Sequence, residues 1–336
     1  MSMRIDFHTH IIPPPGVMPD WSAALGAGRW PSLTADGDDG LATLRLGEQV
    51  MMRIDERFWS PERRIVDMDR QGVDVQVLSP IPLLSGYMAP AEGNQQVARF
   101  LNEHIAGIVA RIPGRFAGMG TVPLQSPDLA IAELRFLNET AEIRAVQIGT
   151  CPAGLDLDNP ILFPFFEACQ DLDFPVFVHP MQPLVGGDRL SSYYLPNIAG
   201  NPLELGLAMT KLIVGGVLER LPKLRICFAH GGGAFPAILG RVDKGFAVRS
   251  EMKVNIDRPP SDYLSRLYVD SLTFDPDTLK LAIGKIGPER VILGSDYPFG
   301  LSDPDPVKTI EGAGLPAATV KGILEDNIWD YLGHKP

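Results

Sequence analysis

At 336 residues, with 45% apolar and 21% charged side chains, the chain is long enough for one large domain or two small ones with a substantial core. Its net charge of -11 argues against non-specific nucleic-acid binding, which needs a basic face, although local arginines can still hold a small anion. Its three cysteines (Cys151, Cys169, Cys227) are too few and too irregularly spaced for a disulfide framework or a CxxC zinc site.

The first element reads as a strand, Arg4-Ile5-Asp6-Phe7-His8-Thr9-His10, in which Ile5 and Phe7 alternate with Asp6 and His8. His8 and His10, two apart, are expected on one face and within reach of one point. Residues 13–60, rich in Pro, Gly and Asp, read as a long irregular insertion that covers that point. Ser60-Pro61-Glu62 opens a helix that stops at Gly72, and 73–78 follows as the second strand. Helices near 92–112 and 127–138 alternate with strands near 116–122 and 144–149. A helix at 163–171 leads to the fifth strand, 174–179, which ends on His179. A second excursion, 181–201, forms another wall of the site. An apolar helix at 203–220 precedes the sixth strand, 224–230, ending on His230. Helix 234–250, strand 267–271, helix 277–286 and strand 290–296 follow, with two helices near 304–312 and 317–331 closing the pattern.

Eight strands alternating with helices, several of them unbroken apolar runs, point to a parallel (β/α)₈ TIM barrel, expected as a single domain over 1–336. An open doubly wound sheet is the competitor, but neither GxGxxG nor a P-loop occurs. No basic-then-apolar leader precedes the first strand, and no apolar run approaches the about 20 residues of a membrane span. A cytoplasmic protein without membrane partner is expected.

Of the six histidines, four stand at strand C-termini: His8, His10, His179 and His230. Asp296 ends the eighth strand. In a barrel these ends converge on one face, and imidazole with carboxylate suits a borderline divalent cation. The plain alternative is a set of buried structural histidines and a helix-capping aspartate. His104 and His334 fall on a helix and in the tail, as chance placement would have them.

The motifs Asp6-Phe7-His8-Thr9-His10, Arg64–Asp69 with Gly72-Val73-Asp74, Val178-His179-Pro180, His230-Gly231-Gly232-Gly233 through Asp243, and Gly294-Ser295-Asp296-Tyr297-Pro298-Phe299 together resemble the amidohydrolase superfamily. They are most similar to the branch of 2-amino-3-carboxymuconate 6-semialdehyde decarboxylase and related non-oxidative decarboxylases. The resemblance implies a homodimer that decarboxylates a small unsaturated or aromatic carboxylic acid. It makes His8, His10, His179 and Asp296 the ligands of one divalent metal, Zn²⁺ or alternatively Mn²⁺, and His230, with Asp296, the catalytic pair. Binuclear members carry a bridging carboxylated Lys on the fourth strand; here that strand has Gln147, so one metal is implied. The resemblance further assigns substrate contacts to Arg53 (or Arg57) and to Arg241, which reaches into a partner's site. Trp59, Tyr194 and Phe299 are candidate aromatic walls. A lactonase-type hydrolase or hydratase would use the same ligands and is the alternative reaction. The glycines after His230 either let the turn approach substrate or simply pack tightly; HGGG as an α/β-hydrolase oxyanion motif lacks its GxSxG partner.

Overall fold

The computed structural model describes residues 3–37, 39–181 and 185–333. His334 and residues 182–184 of the second excursion lie outside the described residues.

The frame is a parallel sheet of eight strands: β1 (Ile5–Ile11), β5 (Val75–Pro80), β6 (Phe116–Thr121), β7 (Ile143–Gly149), β8 (Val176–His179), β9 (Ile226–Phe228), β10 (Leu267–Asp270) and β11 (Val291–Ile292), in that spatial order. β11 pairs only briefly with β10, and the chain beyond it then turns to β1. Phe7 N–H donates to Leu293 O (2.9 Å), Asp296 N–H to His8 O (2.8 Å) and His10 N–H to Tyr297 O (2.8 Å), which closes the barrel. Phe7, Val77, Met119, Ala145, Phe177, Cys227 and Ile292 fill the interior, with Tyr331 packed against Phe7 from below. A larger apolar layer lies between the strands and the surrounding helices.

Two expectations are corrected. The simple alternation in β1 is broken: Asp6 pairs with Gln76 but Thr9 with Leu78, so one extra residue is accommodated between them. The bulge brings Phe7 and His8 both against Phe177, where strict alternation would have sent them to opposite faces. The stretch 13–60 is not irregular either. It contains a short helix, α1 (Trp21–Leu25), and an antiparallel sheet of β2 (Pro31–Ala35), β3 (Leu41–Leu46) and β4 (Gln49–Asp55). The Gly and Asp residues taken as breakers are its turns: Gly37, Gly40 and Gly47 all have positive φ. Its inner face (Leu33, Ala42, Leu44, Ile54) packs with Trp21 and Trp30 on Leu84, Val97 and Leu101 of the barrel wall.

The helix α2 (Pro61–Gln71) starts as expected, Ser60 Oγ accepting from Arg63 N–H and Gly72 ending it in the left-handed region. The described part of the excursion after β8, residues 185–200, is made of short turns and runs directly into α6 (Asn201–Val214), which a left-handed Gly216 separates from α7 (Val217–Arg220). No helix among the described residues is long and apolar enough to cross a membrane.

Candidate active site and metal centre

His8, His10, His179, His230 and Asp296 come together at the C-terminal mouth of the barrel. Asp296 is the hub. Its Oδ1 lies 3.1 Å from His8 Nε2, 3.0 Å from His10 Nε2 and 3.8 Å from His179 Nε2, and its Oδ2 lies 3.5 Å from His230 Nε2. His8 Nε2 and His10 Nε2 are 3.1 Å apart. Two residues reach the site by unusual backbone: His230 and Asp296, just beyond their strands, have φ of 52° and 61°. Left-handed conformations at non-glycine residues cost about 1–2 kcal/mol each and persist where the surroundings impose them.

A cation fits this donor set. Donors about 2.1 Å from a tetrahedral centre stand roughly 3.4 Å from one another, within the 3.0–3.8 Å observed around Asp296. His179 Nε2, His230 Nε2 and Asp296 Oδ1 are buried without a hydrogen-bond partner, an arrangement that is costly unless something else engages them. Donor atoms of His8, His179, His230 and Asp296 all lie within 4.8 Å of one another, and His10 joins through its short approaches to His8 and Asp296.

The outer ring nitrogens are held by the protein. His8 Nδ1 meets Asp270 Oδ2 at 2.7 Å, His179 Nδ1 meets Pro180 O at 2.8 Å, and His10 Nδ1 meets Ser79 Oγ at 2.9 Å and Pro80 O at 3.2 Å. Proton-accepting partners on Nδ1 leave the Nε2 lone pairs aimed at the centre. Gln147 stabilises this ring of contacts: Ser79 Oγ is 3.0 Å from its Oε1, and its Nε2 donates to Pro80 O at 3.0 Å. Asp270, buried at the end of β10, also accepts from Gly231 N–H (2.9 Å) and Leu272 N–H (3.1 Å). One carboxylate thus ties His8 to the turn that carries His230. Gly294 permits the His8–Asp270 contact, because a Cβ there would stand 2.8 Å from the Cβ of each.

Charge in the cluster is arranged for a cation. Burial opposes ionisation of Asp296, yet the four imidazoles hold it well below the ordinary carboxylate range. Burial likewise opposes a proton on His8, but Asp296 and Asp270 outweigh it and push this imidazole up to about 10. Burial lowers His10, and lowers His179 to about 3. Two carboxylates therefore face one proton, in the place where a divalent ion would sit.

Beside the cluster opens a cavity of about 880 Å³, lined by His179, His230 and Asp296 at one end and by the inserted sheet at the other. Tyr194 and Phe299 line it as expected, Phe299 with its ring 5.3 Å from His10. Arg53 does not: it is paired with Asp36 (2.9 Å) on the outward side of β4. Arg57 is clamped by Asp55 (2.7 Å), and Trp59 is half-buried in the apolar cluster under the insertion; neither lines the cavity. Arg241 is exposed on α8 (Phe235–Val248), also outside its own chain's cavity. The glycines after His230 pack tightly against protein. A Cβ on Gly231 would meet Thr273 at 2.6 Å, and one on Gly233, which also borders the cavity, would meet Pro202 O at 2.4 Å. Sequence reading missed Asp270 and Ser79, although both stand at or near strand C-termini, the rule that found Asp296.

A parallel barrel with imidazoles and a carboxylate converging at its C-terminal mouth is the layout of a metal-dependent barrel enzyme. An amidohydrolase family profile matches residues 5–330. The chain is 39% identical to 2-amino-3-carboxymuconate-6-semialdehyde decarboxylase of Dictyostelium discoideum, covering 100% of this chain and 93% of that protein. Among solved structures, IDCase of Metarhizium anisopliae in apo form superimposes with a TM-score of 0.83 at 25% identity, covering 98% of this chain and 97% of that one. Dihydroxybenzoic acid decarboxylase of Polaromonas, solved with bound manganese and an inhibitor, shares the fold (TM-score 0.79, 23% identity, 99% and 97% covered). The chain belongs to the amidohydrolase family, in its branch of metal-dependent non-oxidative decarboxylases.

Proposed function

We propose that this protein, working as one barrel domain, removes CO₂ from a small unsaturated or aromatic carboxylic acid. The observation that carries the reading is the division of labour around Asp296. Its Oδ1 faces His8, His10 and His179, while its Oδ2 faces His230, which also borders the cavity. His8, His10, His179 and Asp296 would hold one divalent cation, Zn²⁺ in preference and Mn²⁺ as the alternative, both suited to three imidazoles and a carboxylate. When bound, the cation supplies positive charge that stabilises the negative charge developing on the substrate.

His230 is the proton donor. As the carbon–carbon bond to the carboxylate breaks, its electron pair stays on the substrate carbon, neutral CO₂ leaves, and His230, entering the step as imidazolium, delivers a proton to that carbon and becomes neutral imidazole. Solvent returns the proton to His230. The apolar walls favour this step, because a localised carboxylate charge disperses into a conjugated body in a medium that solvates ions poorly. Phe299 and Tyr194 form walls against the substrate body.

The expected homodimer is part of this proposal. Arg241 has no ionic partner among the described residues; α8 exposes Ile238 three residues before it, and α6, which packs on α8, exposes Leu203 and Leu207. In a second copy's site it would meet the substrate's reacting carboxylate. A cytoplasmic setting suits the three unpaired cysteines.

Metal analysis and CO₂ release measured together test the function. His230→Ala is expected to retain about one equivalent of metal and lose CO₂ release by at least about 100-fold. Near-wild-type release from metal-loaded His230→Ala would overturn the assignment.

A further inference from the structure

The wall that the insertion turns toward the cavity carries one charge among its described residues, Arg29 at the exposed edge, and is otherwise built of Trp30, Pro31, Leu46, Met51 and Met52. On β4, Met52 and Ile54 stand opposite Leu44 and Ala42, the buried side of the small sheet. Arg53 stands opposite Thr43 on the other side, where both side chains bind Asp36 (2.9 Å each). The pleat thus sends a methionine inward and the arginine outward. Met51 and Met52 share the cavity lining with Trp30, Leu46, Tyr87 and Met181. Arg29 is the one Lys or Arg among the described lining residues, and it is exposed, with its guanidinium held by the neutral side chain of Gln49. The negative end of a substrate is served at the His/Asp cluster, and Arg241 of a second copy is assigned to that same carboxylate. A second carboxylate farther along the substrate would be desolvated against thioethers and aromatic rings with no buried cation to meet it. A cavity of about 880 Å³ also exceeds what a single-ring acid fills.

We infer that the acid taken by this site carries one ionised group, the carboxylate that leaves, on an uncharged aromatic or conjugated body larger than a single ring. This rests on the decarboxylase reading for which carboxylate reacts, but not for the preference between monoacid and diacid. Met51 and Met52 set the preference: flexible thioethers adapt to an extended apolar surface and reject charge.

The test uses a matched pair of acids, 4-phenylsalicylate and 4-(4-carboxyphenyl)salicylate, which differ by a distal carboxylate. Their affinities for the metal-loaded protein are measured by titration calorimetry, with CO₂ release followed on the same samples. The monoacid is expected to bind at least tenfold more tightly than the diacid. Met52→Arg, or Met51→Arg should the first variant fail to fold, is expected to close that gap to threefold or less. Equal or tighter binding of the diacid by the wild-type protein would overturn the inference whatever the turnover. The expected binding order without CO₂ release from either acid supports the inference and counts against the reaction instead.

Discussion

Replacing Asp270 with Asn probes the link between the proposed metal ligands and the proposed proton donor, His230. In the wild-type protein one buried carboxylate takes three contacts: His8 Nδ1 at 2.7 Å, Gly231 N–H at 2.9 Å and Leu272 N–H at 3.1 Å. Asparagine has the same shape but one acceptor oxygen. With that oxygen kept on the two backbone N–H groups, its NH₂ faces His8 Nδ1. His8 must then accept through Nδ1 and carry its proton on Nε2, the nitrogen 3.1 Å from Asp296. A protonated Nε2 is not a ligand. Loss of such an outer contact lowers metal affinity about 10–100-fold, or roughly 1.4–2.7 kcal/mol. Asp270→Ala goes further: it leaves three buried donors unpaired at about 1–3 kcal/mol each and is expected to lower the melting temperature markedly even without metal. Competitive chelator titration of the folded Asn variant, alongside its melting temperature, separates ligand orientation from stability. An Asn variant that holds metal as tightly as the wild type would refute the tautomer argument.

Further outcomes follow from the same contacts. Gly294→Ala forces the His8 and Asp270 Cβ atoms away from a new methyl at 2.8 Å, and chelator titration is expected to show weakened metal binding together with a lower melting temperature. His104, remote from the site on α3 (Ala91–Arg111), is held at about 4, below its ordinary 6.5, by burial and then by Arg111. Its folded value is depressed, so the unfolded chain binds the proton first and stability falls as pH drops from about 6.5 toward 4. That loss is roughly 2 kcal/mol at pH 5, and His104→Gln should flatten the melting curve's pH dependence across this window. Removing the metal leaves the carboxylates and imidazoles of the cluster without their cation, so chelation is expected to lower the melting temperature and readdition to restore it.

Much of the site was legible because strand ends in a barrel share one address. His8, His10, His179, His230 and Asp296 were each found by standing at the close of an apolar run. The orientation of Arg53 was not legible. It depends on a three-stranded sheet whose register is set by Gly37, Gly40 and Gly47, and those residues read as breakers when taken alone. Phe7 shows the same limit, since a one-residue bulge redirected it while leaving the composition of the strand unchanged. Asp270 was legible in position but not in role, because its value lies in which two loops it joins.

The closure of the barrel between β1 and the segment after β11 has a consequence for synthesis. Asp296, the hub of the cluster, is synthesised almost 290 residues after His8 and His10. The backbone bonds that seat it, Asp296 N–H to His8 O and His10 N–H to Tyr297 O, join segments far apart in the sequence. Loop closure over such a separation comes late in folding. A nascent or truncated chain therefore exposes two histidines without the carboxylate that completes their grip. On the proposed ligand set, metal capture would wait for the segment that carries Asp296 to reach β1.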